Sequence, residues 1–185
     1  MIKRVLLFSV ITIIFTSCGT SVSSDNTATG SLDVKDLEAS KEAFIDCKNT
    51  STESHACKEF VATAFASYYG YKLMNADEYL PYDEILATIS ESSDWQELGS
   101  ASDQNVLNEA QENANQGIGT LAVNTKGTKS VAIIIKGELS HSNSLGLDCP
   151  NVLVFRPRIF NKSFVGKGIN YAWSDLSDVK IYSLK

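Results

Sequence analysis

The stretch Ser54-His55-Ala56-Cys57-Lys58-Glu59-Phe60-Val61 sets a cysteine where a helix is expected to begin, two residues after a histidine. A thiolate at a helix start is stabilised by the helix dipole and by amides that lack intrahelical partners, so it is a good nucleophile. Acyl transfer also needs a base to take the thiol proton and hand it to the leaving amine, and a third group to orient that base. The chain offers two imidazoles, His55 and His141. His55 and Cys57 stand at i and i+2, positions that do not share a helical face. His141, in Glu138-Leu139-Ser140-His141-Ser142-Asn143, completes the candidate catalytic pair Cys57 and His141. Asn151, after Cys149-Pro150, is an orienting group if it meets a histidine and a turn residue otherwise. Two histidines without a Cys-x-x-Cys pair or a carboxylate cluster at ligand spacing give no reason to expect zinc, and Gly166-Lys167-Gly168 has no phosphate-loop spacing. No cofactor is expected.

The cysteines have a competing use. Lys3 and Arg4 precede an apolar run from Val5 to Phe15 that stops at Thr16-Ser17-Cys18, the pattern of a secretory signal. The run is shorter than the roughly 20 residues that span a bilayer. Phe15-Thr16-Ser17-Cys18-Gly19 resembles a bacterial lipobox, which implies that Cys18 is lipidated and becomes the mature N-terminus. In an oxidising compartment Cys47, Cys57 and Cys149 then remain. A short-loop bridge between Cys47 and Cys57 is one pairing. A Cys47 to Cys149 bridge that leaves Cys57 free is another, and spacing does not choose between them.

Residues 1–18 are therefore expected to be a lipoprotein signal peptide, 19–31 (GTSVSSDNTATGS) a flexible tether and 32–185 a single domain. As a coil the tether reaches roughly 20 Å, and about 45 Å when extended, which keeps the domain close to its membrane. The net charge of −6 and the lack of a long Lys/Arg cluster exclude nucleic acid as an expected partner.

Helices come first in the domain. Leu32 to Asp46 is amphipathic, and Ser54 can cap a helix that runs through Phe60, Val61, Ala64, Phe65 and Tyr68 to Gly70. Pro81 can open a third helix through Ile85 and Ile89, and Ser102-Asp103 a fourth that ends near Ala114. After Gly117 the pattern turns to strands: Gly119 to Val123 and Ser130 to Ile135, joined by the turn Lys126 to Lys129. Further short strands are expected at Val152 to Phe155, Ile169 to Trp173 and Val179 to Tyr182. Trp95 and Leu98 are expected to be packing residues. Helices followed by an antiparallel sheet define an α+β domain.

This order, with the motifs ACKEFV (Ala56 to Val61), NANQGIGTLAVNT (Asn113 to Thr125) and SVAIIIKGEL (Ser130 to Leu139), resembles the NlpC/P60 and CHAP group of papain-like cysteine peptidases and amidases. The resemblance covers most of Ala56 to Phe155. It implies a helix-start cysteine packed on a sheet, cleavage of peptide or amide bonds in bacterial cell walls, and peptidoglycan peptide or an envelope protein as partner. It also implies a histidine at the head of the strand in Lys129-Ser130-Val131-Ala132-Ile133, where this chain has Ser130. Serine cannot replace imidazole as a general base near neutral pH. His141 lies about eleven residues further on, some 35 Å away along an extended chain. Three readings follow: a cysteine amidase with an unorthodox base, a pseudoenzyme that keeps the cleft for binding, and a structural lipoprotein with Cys57 in a disulfide.

Overall fold

The computed structural model describes residues 34–53, 56–126 and 130–185. The expected signal, Cys18, the tether, the Ser54 cap, His55 and the turn residues Gly127 to Lys129 lie outside them.

In chain order the elements are α1 (Val34–Thr50), α2 (Phe60–Tyr69), the two-residue strands β1 (Met74–Asn75) and β2 (Glu78–Tyr79), α3 (Ile85–Glu91), β3 (Trp95–Ser100) and α4 (Gln104–Asn115). Then come β4 (Thr120–Asn124), β5 (Val131–Ile134), β6 (Ser140–Ser142), β7 (Leu147–Cys149), β8 (Asn151–Val154), β9 (Phe164–Gly168) and β10 (Val179–Leu184), with single 3-10 turns at Phe160–Lys162 and Ile169–Tyr171. Six strands form one sheet in the order β3-β10-β4-β5-β8-β9, every neighbouring pair antiparallel. The architecture is α+β.

The central strands are buried on both sides, so they read as continuous apolar runs, and their residues alternate between two cores. Leu121, Val123, Val131, Ile133, Ile135, Leu153 and Phe155 meet α1, α2 and α3 through Phe44, Phe65, Ile85 and Ile89. Ala122, Ala132, Ile134, Val152 and Val154 point the other way, toward α4. There Leu107, Ala110, Gln111 and Ala114 are buried at the i, i+3, i+4, i+7 spacing of one helical face. Small residues on both partners, Ala110 and Ala114 with Ala122 and Ala132, let helix and sheet approach closely. Each fully buried Leu or Ile contributes about 1.5–3 kcal/mol relative to an exposed one.

Local chemistry sets the helix ends. The Asp103 carboxylate accepts from the Asn105 amide and caps α4, as the sequence predicts. Gly70 closes α2 at φ 74°, a left-handed conformation that glycine adopts without a Cβ clash. Just before it, the buried Tyr69 hydroxyl donates to the Ile134 carbonyl, while Tyr68 Oη accepts from the Lys136 amide at 2.9 Å. Burial pushes both phenols up. The end of α2 is thus fixed to the end of β5.

Three expectations need correction. The second helix starts at Phe60, three residues after Cys57, so Cys57 is not in its first turn. Ile169–Tyr171 is a 3-10 turn, and the edge strand is the preceding Phe164–Gly168. The helices do not all precede the sheet: Trp95, buried as the packing residue expected, opens β3, which joins the six-stranded sheet ahead of α4, and its single buried position gives no period-2 signal to read.

Candidate functional site

Cys57 lies in the turn between α1 and α2 with φ 69°, a backbone conformation that costs a non-glycine residue roughly 1–2 kcal/mol. Several ties hold it there. Its sulfur is bonded to Cys47 of α1, with the two Cα atoms 6.1 Å apart. Lys48 Nζ donates to the Ala56 carbonyl at 2.9 Å, and the Tyr82 amide to the Lys58 carbonyl at 3.0 Å. Lys58 reaches forward to the Asp83 carboxylate at 2.8 Å, a contact that holds the ammonium pKa above its ordinary value. Cys57 is buried, its thiol is consumed, and it precedes the helix that would have supplied a dipole.

Ser130 immediately precedes β5, and its carbonyl accepts from the Asn124 amide at 2.9 Å across the β4–β5 hairpin. Cys57 and Ser130 line the same water-sized crevice, with Phe44, Phe60, Tyr82 and Phe155 around them. The head of β5 and the cysteine thus border one space. The Ser130 hydroxyl oxygen accepts from Trp173 Nε1 at 3.0 Å.

From that crevice a larger cavity of about 670 Å³ opens at the end of the sheet where β5 begins and β8 finishes. Ser130, Tyr82, Phe155 and Pro157 border both spaces. Continuing the register in which Ala132 faces Val154 brings Ser130 beside Arg156, which also lines the larger cavity.

His141 is elsewhere. It belongs to the hairpin β6–β7, where its Nδ1 lies 2.8 Å from an Asp148 carboxylate oxygen and both side chains are exposed. The hairpin leaves the opposite end of β5. It is held to the start of α4 by Gln104, whose Nε2 donates to the Asp148 carbonyl at 3.0 Å and whose Oε1 accepts from the Asp148 amide at 2.7 Å. Leu145 and Leu147 pack on the α4 side of the sheet, whereas Cys57 packs on the α1–α2 side. The structure does not bring the candidate pair together. Asn151 has other partners than His141: its amide donates to Gln111 Oε1 at 2.9 Å and its Nδ2 to the Glu138 carbonyl at 3.0 Å. Cys149 is free and buried, and desolvation pushes its thiol up, away from reactivity. Among the described residues, no three His, Cys, Asp or Glu side chains are grouped to hold a metal ion.

The sequence reading missed Arg156, Arg158, Tyr82 and Trp173, which build the cavity. A signal existed: from Cys149 to Ser174 the chain carries Arg156, Arg158, Lys162 and Lys167 and no Asp or Glu, within a protein of net charge −6. No family model matches the chain, and no characterised protein is similar enough in sequence to match it.

Proposed function

We propose that this chain is an exported cell-envelope lipoprotein, anchored through Cys18, whose domain is related to the NlpC/P60 and CHAP amidases and uses its cleft to bind wall peptide or an envelope partner without cutting it. The observation that carries this reading is the state of the cleft: the Cys57 sulfur is bonded to Cys47, and the residue at the head of β5 that shares its crevice is Ser130, hydrogen-bonded to Trp173. Attack on a carbonyl requires a thiolate and a base within hydrogen-bond reach. The Cys57 sulfur is bonded, no described residue offers it a base, and the one described imidazole sits on the other side of the sheet. The relation to the amidases is supported by the sequence motifs, by the α+β class of the domain, and by the shared crevice of Cys57 and Ser130.

The amidase reading would need a reduced Cys57 and a base other than His141, so the structure favours the pseudoenzyme. The disulfide reading joins it, since a bridged Cys57 is a structural residue at the edge of a binding cleft. The test is to incubate the full exported chain with purified peptidoglycan and follow both retention on the sacculi and release of new amino groups. Retention without release is expected. Release that disappears in Cys57→Ala would overturn the proposal.

A further inference from the structure

The cavity beside Ser130 has a definite chemical character. Arg156 is half-buried, and its guanidinium is fixed because Nη2 donates to the carbonyls of Tyr171 and Ala172, the latter at 3.3 Å. Its Nε is buried with no acceptor. Arg158, two residues on and exposed, lines the same space. Among the described residues no Asp or Glu forms an ion pair with either arginine. Two cations thus share a cavity wall with no carboxylate ion-paired to either among the described residues, in a chain whose acids outnumber its bases.

The rest of the lining is apolar or aromatic, including Tyr82, Phe155, Ile159 and Trp173. Ile159 is 45% exposed and offers its side chain to this space. At about 670 Å³ the space falls in the range of small-ligand sites, where an apolar wall gives contact and a few polar groups fix orientation. A guanidinium is planar and matches a two-oxygen anion. The Asp83 carboxylate, ion-paired with Lys58, lines the same cavity. Its charge disfavours a doubly charged phosphate more than a singly charged carboxylate.

We propose that this cavity is a binding site for a ligand with a free carboxylate next to an apolar side chain, such as a peptide C-terminus, with Arg156 and Arg158 holding the carboxylate and Tyr82, Phe155, Ile159 and Trp173 the apolar part. The inference deepens the reading of the cleft as a binding site and rests on it.

The experiment is calorimetric titration of the full exported chain with N-acetyl-leucyl-phenylalanine, with its C-terminal amide, and with inorganic phosphate. The free acid is expected to bind at least 10-fold more tightly than the amide, as loss of charge-assisted hydrogen bonds implies, and phosphate is expected not to displace it. Arg158→Gln should weaken the acid about 5-fold, the size expected at an exposed site. Arg156→Gln should weaken it more, and a thermal melt reports whether that variant keeps its fold after losing the contacts to Tyr171 and Ala172. Arg158→Gln carries the test if Arg156→Gln does not fold. Equal binding of acid and amide, unchanged affinity in Arg158→Gln, or no binding of the acid up to about 10 mM would overturn the proposal. Displacement by phosphate at similar affinity would overturn its carboxylate preference. Cleavage of wall peptide would refute the binding-only reading of the cleft and leave the comparison of acid with amide standing, so the two failures are distinguishable.

Discussion

The Cys57 turn and the β6–β7 hairpin each carry half of what acyl transfer needs, and the sheet lies between them. At the turn, a buried cysteine shares a crevice with the head of β5, but its sulfur is bonded to Cys47 and the strand-head residue is Ser130. At the hairpin, His141 and Asp148 have the 2.8 Å contact of a base and its orienting carboxylate, but they stand in solvent on the other side of the sheet from Cys57. Residue types alone do not make a site. Strand direction and sheet face decide which side chains meet, and here they separate the pair while gathering arginines and aromatic rings around the cysteine's end.

If the Cys57 end is a packed binding cleft, its aromatic support should matter most. Phe155 lies 5.1 Å from the Phe44 ring and 6.2 Å from Phe60, and it lines the cavity. Phe155→Ala is expected to cost about 3–5 kcal/mol in denaturant unfolding and to abolish ligand retention. The bridge comes next. It closes a loop with a sequence separation of 10, and Cys47→Ala/Cys57→Ala should lower stability by about 2–3 kcal/mol. A loss of that size with no activity to lose would fit a structural bridge; unchanged stability would break the comparison on the cleft side.

The hairpin should respond far less. His141→Ala removes an exposed pair and is expected to change stability by less than about 1 kcal/mol, leaving retention on wall material intact. A loss of function there with the fold preserved would show that the hairpin contributes what the geometry denies it. The smallest effect is a control at the far edge of the sheet, where Glu97 is held below its ordinary pKa first by Lys180 and then by Tyr182 at 3.1 Å. A depressed carboxylate adds stability above its unfolded pKa, and that stability is lost as pH falls through the folded value. Glu97→Gln should therefore narrow the difference in stability between neutral pH and pH below about 4, by less than about 1 kcal/mol because the pair is partly exposed.

Much of the scaffold was legible because it rests on local signals. Asp103 caps α4, Gly70 ends α2, and the apolar runs of β4 and β5 on either side of a turn specify a hairpin. What escaped depends on contacts distant in sequence. Trp95–Ser100 becomes a strand by pairing with β10, and its alternation is too weak to read alone. The helix after Cys57 starts late because the bridge to α1 and the Lys58 contacts hold the turn outside it. The position of His141 depended on which face the chain takes after Ile135, which no local pattern encodes. Arg156 and Arg158 were visible as residues, but their role depends on Trp173 and Ser130 arriving from other parts of the chain.

The most direct test of the central claim is alkylation of the exported protein without reductant, followed by peptide mapping by mass spectrometry. The account predicts a linked Cys47–Cys57 peptide and no labelling of Cys57 until a reductant is added, with the buried Cys149 thiol reacting slowly. Rapid labelling of Cys57 without reductant, well below the reference thiol pKa of about 8.5, would contradict it and return the cleft to catalysis.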